Sequence, residues 1–249
     1  MTQNKEQNFL SHFRELRNRI IFSLLLFVII FAVSYNFVDV IYDFLLVPLN
    51  DVIDKSAPRR IIFTGLAEAF VTYVKLAFLT SLFICFPLFL VQIYLFLAPG
   101  LYQGEKSFLR HILFFSPILF YGGGFFVYKF IFPLAFKFFL GFESFGASDI
   151  PILLEARISE YLSISSSLII VFGLTAQVPL VIILLIKSSI ISYESFARKR
   201  KYVVIIIVTL AAIITPPDVI SQIALAIPTY LLFELSLLIC RKSKDKTNA

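Results

Sequence analysis

Runs of apolar residues long enough to cross a bilayer recur along this chain, separated by short polar stretches, and this spacing constrains the fold more than any other feature. A helix rises 1.5 Å per residue, so about 20 apolar residues span roughly 30 Å of hydrocarbon. Six runs lie at about 20–36, 69–97, 112–134, 161–186, 202–215 and 219–240. Most approach or exceed the required length. The fifth reaches only about 21 Å and is too apolar for a loop, so either the bilayer thins beside it or its neighbours shield it. No small-residue cleavage pattern follows the first run, which therefore reads as a retained span. The chain is 59% hydrophobic and 15% charged, with mean hydropathy +0.91. A soluble domain of this length would not bury that much apolar side chain. The expected fold is an all-α membrane protein. Residues 1–19 form an amphipathic N-terminal segment, 20–240 a six-helix transmembrane domain and 241–249 a basic tail.

An even number of spans puts both termini on one side, and Lys and Arg decide which. The N-terminal segment, the 98–111 and 187–201 connections and the C-terminal tail carry fifteen of them, among them Arg14, Arg17, Arg19, Lys106, Arg110, Arg198–Lys201 and Arg241. The alternate connections carry five: Lys55, Arg59, Arg60, Lys137 and Arg157. The positive-inside rule then places both termini in the cytoplasm. The net charge of +6 thus reads as topology signal rather than a nucleic-acid surface. On the outer side, Val40, Ile41, Phe44, Leu45 and Val47 fall at helical spacing ahead of Pro48, which predicts a short amphipathic helix. The 135–160 connection looks similar in kind, and Thr215-Pro216-Pro217-Asp218 is a tight turn.

Catalytic chemistry is poorly supplied. His12 and His111 fall at predicted helix ends, no glycine-rich phosphate loop exists, and no residues take metal-ligand spacing. Neither Cys85 nor Cys240 suggests a disulfide or a metal set. The expectation is a protein that is not an enzyme and uses no cofactor or metal. Gly122-Gly123-Gly124 lies in an apolar run, where close helix packing is its use.

Binding chemistry is better supplied. Pro99 and Gly100 stop the second run, and Gln103 to Lys106 read as a polar turn carrying Glu105. Glu15 lies off the apolar stripe of Phe9, Phe13, Leu16 and Ile20. If these segments face the same side, two carboxylates meet there and can receive a cationic ligand. A carboxylate recognises guanidinium bidentately, which Lys cannot reproduce. The bland alternatives are that Glu15 pairs with Arg19 one turn on and that Glu105 is a solvated turn residue. Three polar residues lie within the runs. Lys75 either snorkels to the outer interface or has a role in the membrane. Glu234 either pairs with a neighbouring helix or is functional. Gln177, two residues before Pro179, offers an interhelical hydrogen bond or a partner contact.

These residues resemble the TatC family, the multispanning subunit of the Sec-independent twin-arginine protein translocase. The resemblance runs from about Ser11 to Arg241. It rests on His12-Phe13-Arg14-Glu15-Leu16-Arg17, Phe96-Leu97-Ala98-Pro99-Gly100-Leu101-Tyr102 with Glu105, Phe132-Pro133-Leu134-Ala135-Phe136, and Thr215-Pro216-Pro217-Asp218-Val219. It implies a cup-shaped bundle of six helices in a bacterial-type inner membrane. It implies a receptor for the twin-arginine signal peptides of folded precursors, working in a multi-copy complex with single-span TatA and TatB subunits on the proton-motive force. The implied peptide site is Glu15 and Glu105 with Phe96, Leu16 and Arg17; Pro48 and Asp218 match outer-loop positions important for function or assembly. The family commonly has a glutamate where this chain has Gln177. A small-solute secondary transporter, with Lys75, Gln177 and Glu234 lining a path, is the alternative, although no internal repeat supports it.

Overall fold

The computed structural model describes the backbone of residues 2–52, 61–97, 103–144, 155–188, 190–214 and 219–247. It describes the side chains of 12–52, 61–96, 109–142, 155–188, 190–213, 219 and 222–241. The described chain is helical: α1 Thr2–Asn36, α2 Val38–Asn50, α3 Glu68–Leu97, α4 Gln103–Phe126, α5 Phe132–Leu140, α6 Ile158–Thr175, α7 Val178–Lys187, α8 Tyr193–Arg198, α9 Arg200–Ile214 and α10 Val219–Thr247. A π-helical turn, Val127–Ile131, joins α4 to α5 without a break. One isolated parallel bridge pairs Ile62 with Arg157.

Among the described residues five stretches are long and apolar enough to cross a membrane: His12–Asn36, Glu68–Phe96, Leu109–Leu140, Ile158–Lys187 and Gln222–Arg241. Helix α9, with 15 residues, rises only about 22 Å. Outward faces carry large apolar side chains such as Leu24 (60% exposed), Ile205 (61%) and Ile213 (75%). A water-soluble bundle would not leave such a surface bare, and lipid is its natural solvent. The molecule is a multi-pass α-helical membrane protein.

Among the described residues the interior holds three apolar clusters. Val38, Leu45 and Leu49 of α2 pack on Leu76 of α3 and on Ile158, Tyr161 and Leu162 of α6. The π turn and Phe132 pack with Leu168 and Phe172 of α6, Ala211 of α9 and Leu225 of α10. Ile182 of α7 meets Phe233 and Leu237 of α10. Helix α1 stands at the edge, and no residue in its apolar window is buried.

Close approach of α4 and α6 depends on two glycines. A Cβ on Gly123 would lie 2.9 Å from the Ala176 Cβ and 3.0 Å from the Phe172 carbonyl oxygen. One on Gly173 would lie 3.0 Å from the Phe120 carbonyl oxygen. With no hydrophobic force between helices in lipid, such backbone-to-backbone contact supplies the association. A Cβ on Gly122 would meet nothing within 4 Å, so only part of the triple glycine packs as its composition suggests.

Several boundaries differ from those read in the sequence. The N-terminal segment and the first span are one helix, Thr2–Asn36, because nothing between Ser11 and Ile20 breaks helix. Helix α4 starts at Gln103, so Glu105 lies in its first turn rather than in a polar loop. Gln, Glu and Lys are good helix formers, and an acid near an N-terminus meets the favourable end of the dipole. The 161–186 run is two helices, hinged at Ala176-Gln177, because Pro179 cannot donate the i→i−4 bond.

Candidate functional site

The first turns of the α1 apolar stretch lie against the end of α3. His12 stacks on Phe96 with ring centroids 4.3 Å apart and planes at 16°. Three residues on, the Glu15 carboxylate lies 3.9 Å from the His12 Nδ1. Arg19 closes the turn: its Nε and Nη2 both donate to Glu15 Oε1, at 3.1 and 2.5 Å. The other arm of the same guanidinium, Nη1, donates to Gln92 Oε1 on α3 at 3.4 Å. Helix α3 therefore touches α1 through Gln92 and Phe96, one turn apart, and holds the two residues that flank Glu15.

Two hollows meet at this junction. One, of about 650 Å³, is open and lined by Arg14, Glu15, Asn18, Arg19, Phe22, Gln92 and Leu95. The other, of about 570 Å³, is an apolar groove between the helices, lined by Leu16, Ile20, Leu24 and Phe27 of α1 and Phe78, Leu82, Phe89, Ile93 and Phe96 of α3, with Arg19, Ser23 and Gln92. Arg19 and Gln92 line both, so the two hollows adjoin at this hydrogen-bonded pair.

Glu15 is 36% exposed and Arg19 23%. Both Arg19 donors go to one carboxylate oxygen, and among the described residues Oε2 has only the His12 Nδ1 near it, at 3.9 Å. The local Glu15–Arg19 pairing is thus present, and it leaves half of the carboxylate for a further donor. Leu16 lines the groove, whereas Arg17 is exposed and bonds its neighbour Asn18 at 3.4 Å. The Glu105 side chain lies outside the described residues, as does Asp218 entirely. Sequence reasoning missed Gln92 and the His12–Phe96 stack. A lone amide inside an apolar run was the available signal for Gln92.

The polar residues within the spans have separate partners. Lys75 donates to Ser163 Oγ on α6 at 2.8 Å. Gln177 accepts a short hydrogen bond from the Ser116 hydroxyl of α4. It returns one from Nε2 to the Ser116 carbonyl at 3.0 Å. Glu234 pairs with Arg200 of α9 at 3.2 Å and accepts from the Tyr230 hydroxyl at 2.8 Å. These are three unconnected helix-to-helix contacts, and none of the three residues lines the hollows above.

A second polar cluster lies 24 residues earlier along α3 than Gln92, about 36 Å away. The Glu68 carboxylate accepts from the Thr64 and Gly65 amides (2.8 and 3.1 Å), the Ser159 hydroxyl (2.5 Å) and Arg157 (3.3 Å). It ties the approach to α3 to the start of α6, beside the Ile62–Arg157 bridge. The sequence reading did not single out this clasp; its members are about 90 residues apart.

A family model described as Sec-independent protein translocase protein (TatC) matches residues 11–228. The chain belongs to the TatC family. A TatC of Rickettsia prowazekii is 47% identical over 95% of this chain and 93% of its own. That of Escherichia coli is 34% identical over 97% and 91%. A crystal structure of the twin-arginine translocase receptor TatC in DDM superposes with a TM-score of 0.77 at 32% identity, covering 92% of this chain and 98% of that one. This is a family of protein-translocase components, not of enzymes. It lends no support to the solute-transporter alternative, and among the described residues Lys75, Gln177 and Glu234 each bond a different partner.

Proposed function

We propose that this chain is the signal-peptide receptor and core subunit of a twin-arginine translocase, which exports folded proteins across a bacterial-type inner membrane on the proton-motive force. The observation that carries the reading is the Glu15 carboxylate, with one oxygen bonded to Arg19, in a hollow that adjoins an apolar groove. A twin-arginine signal peptide has the complementary order of parts, two guanidiniums followed by an apolar stretch. Glu15 and Glu105 receive the arginines, with Phe96, Leu16 and Arg17 in support. An exposed ion pair contributes only about 0–1 kcal/mol, so arginines alone could not hold a precursor. Partly shielded charge-assisted bonds contribute about 1.5–3 kcal/mol each, and the groove beside Glu15 adds apolar contact.

In this reading α9 counts as a sixth, short span. The spans of 20–240 form a cup with both termini cytoplasmic, between an N-terminal segment 1–19 and a basic tail 241–249. The chain works in a multi-copy complex with single-span TatA- and TatB-type subunits. Gln177, Glu234 and Lys75 are candidates for intramembrane partner contact, and Pro48 and Asp218 serve on the outer side. The test is photocrosslinking of a twin-arginine peptide to membranes carrying the chain. Glu15→Lys with Glu105→Lys should abolish the crosslink while membrane insertion and helix content stay unchanged. An undiminished crosslink in the double variant would overturn the assigned site.

A further inference from the structure

Two helix irregularities far apart in the sequence meet at one hydrogen bond. Pro48 lies inside α2 and has no N–H, so the i+4 donor that the Phe44 carbonyl would use does not exist. The Tyr128 hydroxyl donates to that carbonyl oxygen at 2.8 Å. Its ring lies flat on Phe44, with centroids 4.4 Å apart and planes at 1°. Tyr128 is the second residue of the π turn Val127–Ile131. An i→i+5 turn inserts one residue into the helical register and so changes the direction in which the side chains around it leave the axis. The next α2 carbonyl, that of Leu45, accepts from the buried Tyr161 hydroxyl of α6 at 2.6 Å.

The two phenols are themselves linked by rings. Tyr128 meets Phe132 at 6.2 Å, Phe132 meets Phe136 at 5.6 Å, and Phe136 meets Tyr161 at 5.4 Å. A continuous aromatic ladder thus starts and ends on consecutive carbonyls of α2. We propose that Tyr128 is a positioning residue that fixes α2 across the bundle, its hydroxyl standing in for the amide that Pro48 lacks. Pro48 and the π turn then form one device: the proline frees an acceptor, and the π turn delivers the donor. A backbone acceptor left without its amide is costly unless another donor replaces it, and the Tyr128 hydroxyl is that donor.

This account makes the effect of Tyr128 depend on residue 48. With a spin label at Val40, an exposed α2 position, Tyr128→Phe should raise label mobility and lower the melting midpoint of the detergent-solubilised chain. Pro48→Ala restores an amide for the Phe44 carbonyl, so Tyr128→Phe should then cost nothing further. Tyr128→Ala, which also removes the stacked ring, should loosen α2 in both backgrounds. Packing alone predicts that Tyr128→Phe loses as much in the Pro48→Ala background as beside the native Pro48. Equal losses, or no effect of Tyr128→Phe beside Pro48, would overturn the proposal.

Discussion

Glu15 and Gln177 show how one polar side chain is given its task by what its neighbours leave over. Glu15 spends one oxygen on Arg19, and α3 anchors that arginine through Gln92. Gln92→Leu should therefore release Arg19 from α3 and weaken capture of a twin-arginine peptide several-fold, although Gln92 carries no charge. Peptide crosslinking yield against Gln92→Asn, which retains the amide, measures it. Gln177 spends its amide on Ser116, as both acceptor and donor. Gln177→Leu should lower stability by about 1 kcal/mol, the usual size of an interhelical hydrogen bond in lipid. Ser116→Ala should then add little to Gln177→Leu, because the two act as one unit. Unfolding in mixed micelles provides the double-mutant cycle. Gln177 was legible in the sequence as a hydrogen-bonding amide, but its partner 61 residues away was not, since Ser116 looks like any small residue in an apolar run.

Among the elements, the α4–α6 contact depends on space and the α6–α7 break on a missing donor. Alanine at Gly123 would press a methyl against the Phe172 carbonyl and the Ala176 Cβ, neither of which can swing aside. Gly123→Ala should cost about 1–3 kcal/mol, the range for overpacking. At Gly124 the obstacle is the tip of the Phe83 ring, which can move, so Gly124→Ala should cost less. Gly122→Ala should be neutral. Melting midpoints of the three variants check this order. Composition alone assigned all three glycines one role. The difference between neighbours arises because helix rotation points one toward α6, the next toward α3 and the third into open space.

At the scale of the whole molecule, α9 is an apolar helix that rises only about 22 Å against roughly 30 Å of hydrocarbon. Its first residue, Arg200, bonds Glu234, seven residues before Arg241 at the end of the α10 apolar stretch. Mismatch costs fractions of a kcal/mol per Å. Reconstitution into lipids of increasing acyl length should therefore lower the stability of the chain progressively, read as a falling melting midpoint.

Read along the chain, hydropathy and length dictate the membrane as solvent, the helical class, the run of long apolar segments and the short fifth one, because all of these are local properties. Glu15 and its Arg19 partner are legible in the same way, one turn apart on a single helix. Packing in three dimensions was needed to show that Gln92 and Phe96 frame Glu15, that Glu68 clasps Arg157 and Ser159, and that a π turn answers Pro48. Each of these joins residues about 73 to 91 positions apart. In a bundle whose surfaces are apolar on every side, composition does not say which face meets which. Backbone clearance at a few glycines and the pairing of isolated polar groups settle that choice.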